Sequence, residues 1–179
     1  MSTSTRSRLI RFVTLAAVIA LSIGIYVYRE RALELAGYGY LGIFLLSFLA
    51  NATIILPAPG VMVVFAMGGV FPAWGIALAA GLGAALGELS GYLAGYGGQA
   101  IVDNIQRYQQ IVGWMQRKRS LAYALIFVMA LVPNPLFDLA GIAAGTLKIP
   151  LLPFLFWCAC GKILKMLAFA YAGHWSLGG

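Results

Sequence analysis

The sequence predicts an all-α integral membrane protein. It reads as an inverted repeat of two re-entrant hairpins, each followed by a transmembrane helix. An N-terminal transmembrane helix stands ahead of the repeat, and an interfacial amphipathic helix lies between its halves. Three observations lead there. Apolar residues make up 62% of the chain and charged residues 9%, against about 25% charged in soluble domains. Several apolar runs approach the roughly 20 residues that cross a bilayer. Two other apolar runs are each broken by a Pro-x-Pro sequence.

Leu9 to Tyr28 is apolar and long enough to span. A secretory signal peptide is the competing reading, but the apolar core is long for one and no A-x-A site follows. A retained helix is therefore expected, and with its tail and a charged connector it forms a first unit, residues 1–36. The second unit, residues 37–179, is the membrane domain. Tyr38 to Leu56 is apolar, Pro57-Ala58-Pro59-Gly60 interrupts it, and Val61 to Val70 is apolar again over half a membrane thickness. Proline removes a backbone donor and blocks helix continuation. Such a break is tolerated at membrane depth only under cover of protein or a water cavity, hence a re-entrant hairpin.

Pro72 to Tyr96 reads as a full span closed by Gly97 and Gly98. Gln99 to Arg119 turns polar, with Ile101, Ile105, Tyr108, Val112 and Met115 at helical spacing. It reads as a surface helix ending in Arg117-Lys118-Arg119, a basic surface for lipid head groups. Leu121 to Val132, the break Pro133-Asn134-Pro135, and Leu136 to Thr146 then form the second hairpin. Leu151 to Ala172 is the last span. Pro57-x-Pro59 corresponds to Pro133-x-Pro135, Gly69 to Gly145, and Ala94-Gly95 to Ala172-Gly173. Each half is thus a broken hairpin followed by a long span.

Arg6, Arg8 and Arg11 stand at the first span without acids among them, which places the N-terminus in the cytoplasm. The same rule puts Arg117, Lys118 and Arg119 inside. The two hairpins then enter from opposite faces of a plasma (inner) membrane. The formal charge of +7 belongs to these topology signals and to anionic lipid; nucleic acid is not an expected partner.

Glu88, Asp138, Lys162 and Lys165 are ionisable residues in apolar surroundings. Charges at membrane depth are costly, and usually face a cavity or a partner. A substrate or proton pathway is one reading; a structural pair between Glu88 and one lysine is the plainer one. Gly83, Gly87, Gly91 and Gly95 form one stripe along a helix face, suited to close helix packing. Tyr92 lies one turn after Glu88, within reach to donate to it. Asn51 and Asn134, near the breaks, either line a polar cavity or cap freed backbone groups. Cys158 and Cys160 are expected as free, lipid-facing thiols, and His174 as an interfacial residue. No H-E-x-x-H, G-x-S-x-G or phosphate loop is present, so neither an enzyme nor a metal or cofactor is expected.

The run Leu86-Gly87-Glu88-Leu89-Ser90-Gly91-Tyr92-Leu93-Ala94-Gly95 resembles the L-G-[DE]-x-x-G-Y-x-x-G signature of the DedA superfamily, also called the VTT or SNARE-associated domain. Leu56-Pro57-Ala58-Pro59-Gly60 with Gly68-Gly69, and Val132-Pro133-Asn134-Pro135 with Ala140-Gly141 and Gly145, resemble its two hairpins. The resemblance covers Tyr38 to Gly173. It implies a lipid translocase, flippase or scramblase, acting on a phospholipid or polyprenyl phosphate, with protons as a coupling ion in bacterial members. Departures stand at Ala50-Asn51, where the family often has an acid, at Val61, and at Ala130 and Leu136, near positions of its arginines. Of the charged residues, Glu88 alone falls on a motif acid. A secondary transporter of a small solute or ion, and a membrane scaffold, are the alternative readings on the same fold. Association into homo-oligomers is compatible with all three.

Overall fold

Leucines face outward and alanines inward on the first long helix, the reverse of a water-soluble core. Ala73, Ala77, Ala80 and Ala84 are buried, whereas Leu78, Leu82, Leu86 and Leu93 are exposed. In lipid this is the expected arrangement. Acyl chains are as apolar as leucine, so helices associate by close packing of small residues rather than by hiding large ones.

The computed structural model describes residues 38–52, 60–102, 110, 117–133 and 137–177, and every regular element among them is helical. In chain order these are α1 Gly39–Ala52, α2 Gly60–Gly68, α3 Ala73–Gly87, α4 Leu89–Val102, α5 Arg119–Leu131, α6 Phe137–Thr146 and α7 Leu151–Leu177. The expected N-terminal helix, Pro57, Pro59, Asn134 and Pro135 lie outside the described residues, as does most of the expected amphipathic helix.

Among the described residues, two stretches are long and apolar enough to cross a bilayer, Ala73–Gly98 and Leu151–Ser176, each of 26 residues. At 1.5 Å per residue each is about 39 Å long, more than the hydrocarbon core of roughly 30 Å. The first comprises α3 and most of α4, with a one-residue turn at Glu88, whose φ of −63° and ψ of −12° stay near helical values. Gly97 and Gly98 do not end it: α4 continues to Val102. The last helix likewise continues past Ala172, through His174, which is exposed at its end.

The remaining helices have 14, 9, 13 and 10 residues for α1, α2, α5 and α6. Each is too short to span alone. Proline chemistry marks their ends. Pro133 disfavours a helical residue before it, and Val132 is extended, with φ −76° and ψ 130°. Pro72 and Pro150 each offer a carbonyl to the first turn of a long helix, to Ile76 N–H at 3.3 Å and Phe154 N–H at 3.1 Å.

The short helices pair crosswise with the long ones. α1 packs on α3, and α5 on α7; but α2 packs on α7, and α6 on α4. The long helices cross each other through α3 and α7. Glycines seat the crosswise pairs reciprocally. A Cβ at Gly68 would land on the Ala170 carbonyl oxygen, and one at Gly173 on that of Phe65. A Cβ at Gly145 would land on the Tyr92 carbonyl oxygen, and one at Gly95 on that of Ile142. In all four, the glycine follows by three residues the carbonyl that receives its partner. Gly68, not Gly69, makes the contact of the form that Gly145 makes; Gly69 falls in the turn after α2.

The buried apolar residues form two clusters. One draws Ile43, Val64, Ile76, Ala80, Met166 and Ala170 from α1, α2, α3 and α7. The other draws Ala85, Tyr92, Ile126, Ala144, Phe154 and Cys158 from the other ends of the long helices and from α5 and α6. On α7 the boundary between the clusters falls between Cys158 and Met166, which is where Lys162 stands.

Candidate functional site

Lys162 is 1% exposed, and so is Glu88. Its Nζ donates to Glu88 Oε1 at 2.6 Å and to Asn51 Oδ1 at 2.5 Å. Asn51 in turn donates through Nδ2 to the Ser47 carbonyl at 2.8 Å. An ammonium only donates, so this network assigns the amide: its oxygen faces the lysine. Lys162 is 11 residues into α7, about 16 Å along a helix. The pair therefore sits well inside a helix of spanning length, and at membrane depth an unpaired charge facing lipid would cost several kcal/mol.

Glycines make the meeting possible. At Gly87, next to Glu88, a Cβ would meet Phe48 O, Asn51 Cβ and Ala52 N at 2.5, 2.8 and 2.9 Å. At Gly161, next to Lys162, it would meet Phe127 O, Ala130 Cβ and Leu131 N at 2.6, 2.7 and 3.1 Å. The two contacts have the same form. Each seats a short helix, α1 or α5, beside a buried charge, and Asn51 and Ala130 hold the same place in them. Asn51 thus reaches Lys162 because Gly87 lets α1 approach. The second carboxylate oxygen, Glu88 Oε2, lies 2.9 Å from where a Cβ at Gly141 would be, so α6 covers the pair from another side. Ser90 donates to the Gly87 carbonyl at 3.1 Å, bracing the turn at Glu88.

Of the residues singled out by sequence, Glu88, Lys162 and Asn51 come together. Lys165 lies one turn further along α7 and is half-buried. Asp138 stands in α6 one turn before Gly141, and its side chain lies outside the described residues. Pro133 is exposed at the end of α5, and Gly60 opens α2. Arg117, Lys118 and Arg119 are exposed. The glycine stripe divides between partners: Gly83 and Gly87 meet α1, and Gly95 meets α6.

Two expectations are corrected. Tyr92 does not donate to Glu88. Its hydroxyl donates to the Ile149 carbonyl at 2.7 Å, and its ring stacks on Phe154 with centroids 5.4 Å apart. The large side chain follows the apolar second cluster away from the pair. Cys158 does not face lipid. It is fully buried one turn before Lys162, because the α7 face that carries Lys162 is the face turned inward; Cys160 is half-buried, and both are free thiols. Sequence reasoning passed over Gly161, and it quoted Gly141 only within the second hairpin's motif and Thr146 only as the end of its second arm. Thr146 donates within hydrogen-bond distance of the Gly95 carbonyl at 3.2 Å and the Ile142 carbonyl at 2.8 Å, fastening α6 to α4. Adjacency to Lys162 was the available signal for Gly161.

Tyr92→Phe should lower stability by about 1 kcal/mol, the net worth of one buried hydrogen bond. Thermal unfolding of the purified protein measures it. Because the hydroxyl serves Ile149 and not Glu88, no effect on the ion pair is expected.

This arrangement defines an integral membrane protein, helical in every regular element among the described residues, with a buried ion pair locked between two long apolar helices. The VTT domain family matches residues 56–175, and the chain belongs to that family, the domain of the DedA proteins. Comparisons with curated proteins and with solved structures give no match.

Proposed function

We propose that this protein moves lipid head groups across the bilayer along a polar path that passes Lys162, Glu88 and Asn51. The observation that carries the reading is Lys162, fully buried where the two apolar clusters meet, with its ammonium on the Glu88 carboxylate and the Asn51 amide oxygen. An anionic head group can replace Glu88 on the ammonium, one anion for another. Charge balance then favours protonation of the released Glu88, which links lipid movement to a proton. Membership of the DedA family supports a transport role.

The crosswise packing supports an inverted repeat of re-entrant hairpins. The arms beside residues 53–59 and 134–136 are too short to span, and the paired glycine contacts repeat between halves. In such repeats a central site is exposed alternately as one half rocks against the other.

Reconstitution into liposomes carrying labelled phospholipid tests the proposal. The expected result is lipid movement well above that of protein-free vesicles, with a dependence on pH that Glu88→Gln abolishes. Folded protein that moves no lipid overturns it. Uptake of a small solute instead would assign a secondary transporter, and neither activity would leave a scaffold.

A further inference from the structure

The two members of the ion pair are not held alike. Gly87-Glu88 and Gly161-Lys162 take matching places on the two long stretches, each glycine seating a short helix beside a charge. The residue of α1 that meets Gly87 is Asn51, and its amide oxygen reaches across to Lys162 Nζ at 2.5 Å. The residue of α5 that meets Gly161 is Ala130, fully buried, and its methyl can neither donate nor accept. At this matched pair of contacts the lysine gains a polar hold, and the glutamate gains none from the Ala130 side chain.

The amide is itself fixed. Its Nδ2 donates to the Ser47 carbonyl one turn back at 2.8 Å, and Ser47 is buried, so the oxygen stays turned to the lysine. This hold supplies a dipole and no charge. If Glu88 leaves the ammonium, Asn51 keeps the ammonium in place without neutralising it. A buried cation that has lost its counter-ion is strongly unfavourable, and it draws another anion. An aspartate in the same place would answer that demand from within the protein and repel the newcomer.

We propose that Asn51 sets the charge selectivity at Lys162: it anchors the ammonium on α1 and, being an amide, leaves its charge to an exchangeable anion. The proposal rests on the transport reading, in which a head group replaces Glu88. Lys162 is then the stationary member of the pair, and Glu88 the member that exchanges.

Thermal unfolding of the full chain in one detergent gives a test that does not depend on transport. Glu88→Gln should lower the unfolding temperature by roughly 6 °C or more, because the ammonium loses a buried counter-ion. Adding Asn51→Asp to Glu88→Gln should recover more than half of that fall, since the near-isosteric carboxylate takes over as counter-ion. Recovery stops short of complete because the aspartate gives up the bond to the Ser47 carbonyl. Adding Asn51→Leu instead should recover nothing. Liposomes carrying labelled phosphatidylglycerol or labelled phosphatidylcholine give the second readout. With Glu88 intact, Asn51→Asp should slow phosphatidylglycerol about tenfold and phosphatidylcholine much less, because a fixed negative charge repels a net anion. Asn51→Leu, which loses the anchor and adds no charge, should slow both lipids alike. The proposal is overturned if aspartate fails to rescue Glu88→Gln, if leucine rescues it equally, or if Asn51→Asp slows both lipids to the same extent. Folded wild type that moves neither lipid would remove the transport reading, and the rescue would then decide by itself whether position 51 governs the charge on Lys162.

Discussion

Lys162→Met alone should destabilise the protein by about 3–5 kcal/mol, and Lys162→Met with Glu88→Leu should recover most of that loss. Removing one partner leaves the other charge buried without its counter-ion, whereas an apolar pair of similar volume is often neutral or better. The two side chains are in direct contact, so their effects are coupled and far from additive. Unfolding of wild type, Lys162→Met, Glu88→Leu and the double variant in one detergent gives the four energies needed for the cycle. The same variants in liposomes separate structure from transport. The double variant should be folded, and it should move lipid at least about tenfold more slowly, because the fully buried cation that would hold a head group on the path is gone. A stable double variant with full lipid movement would show that the pair only locks helices, and the polar path would lose its centre.

The second large effect is expected at the crosswise glycines. Gly95→Val and Gly145→Val should each cost more than about 3 kcal/mol, the upper range for an overfilled core. In both, the first added carbon would land on a backbone carbonyl of the facing helix, Ile142 or Tyr92. A backbone cannot rotate away as a side chain can. The helices must separate, and Thr146 would lose its reach to Gly95. The double variant should cost less than the sum of the singles, because one displacement of α6 relieves both clashes. Gly98→Ala is the contrasting case. Nothing lies within 4 Å of a Cβ there, and alanine favours a helix by about 1 kcal/mol over glycine. That variant should be unchanged or slightly more stable. Equal loss at Gly98 and Gly95 would mean that α6 does not pack on α4 as described.

Much of the architecture was legible residue by residue. Pro72 and Pro150 announced the starts of the two long helices, because proline is welcome only where a helix N–H has no partner. Their apolar length announced the spans. The stripe of Gly83, Gly87 and Gly95 announced close packing, and the burial of Glu88 and Lys162 followed from charged residues set within apolar runs. Asn51 was left between two roles, since its neighbourhood in sequence offers backbone carbonyls such as that of Ser47 but no charged partner. Its partner is 111 residues away, and only the seating of α1 on Gly87 brings them together. Tyr92 and Cys158 were misplaced for a related reason. Which face of a buried helix meets another helix, and which meets lipid, is not written in hydropathy when both faces are apolar.

The sequence by itself determined that this chain lives in a membrane, which stretches can cross it and where proline interrupts its apolar runs. These are local properties, set by hydropathy, length and the missing donors of proline. Only the tertiary structure decided that α2 seats on α7 and α6 on α4, that Gly68 rather than Gly69 makes the contact, and that Lys162 chooses Glu88 and Asn51. Those outcomes depend on which backbones can approach within van der Waals distance. That distance is a property of pairs of helices far apart in the chain, and no single segment encodes it.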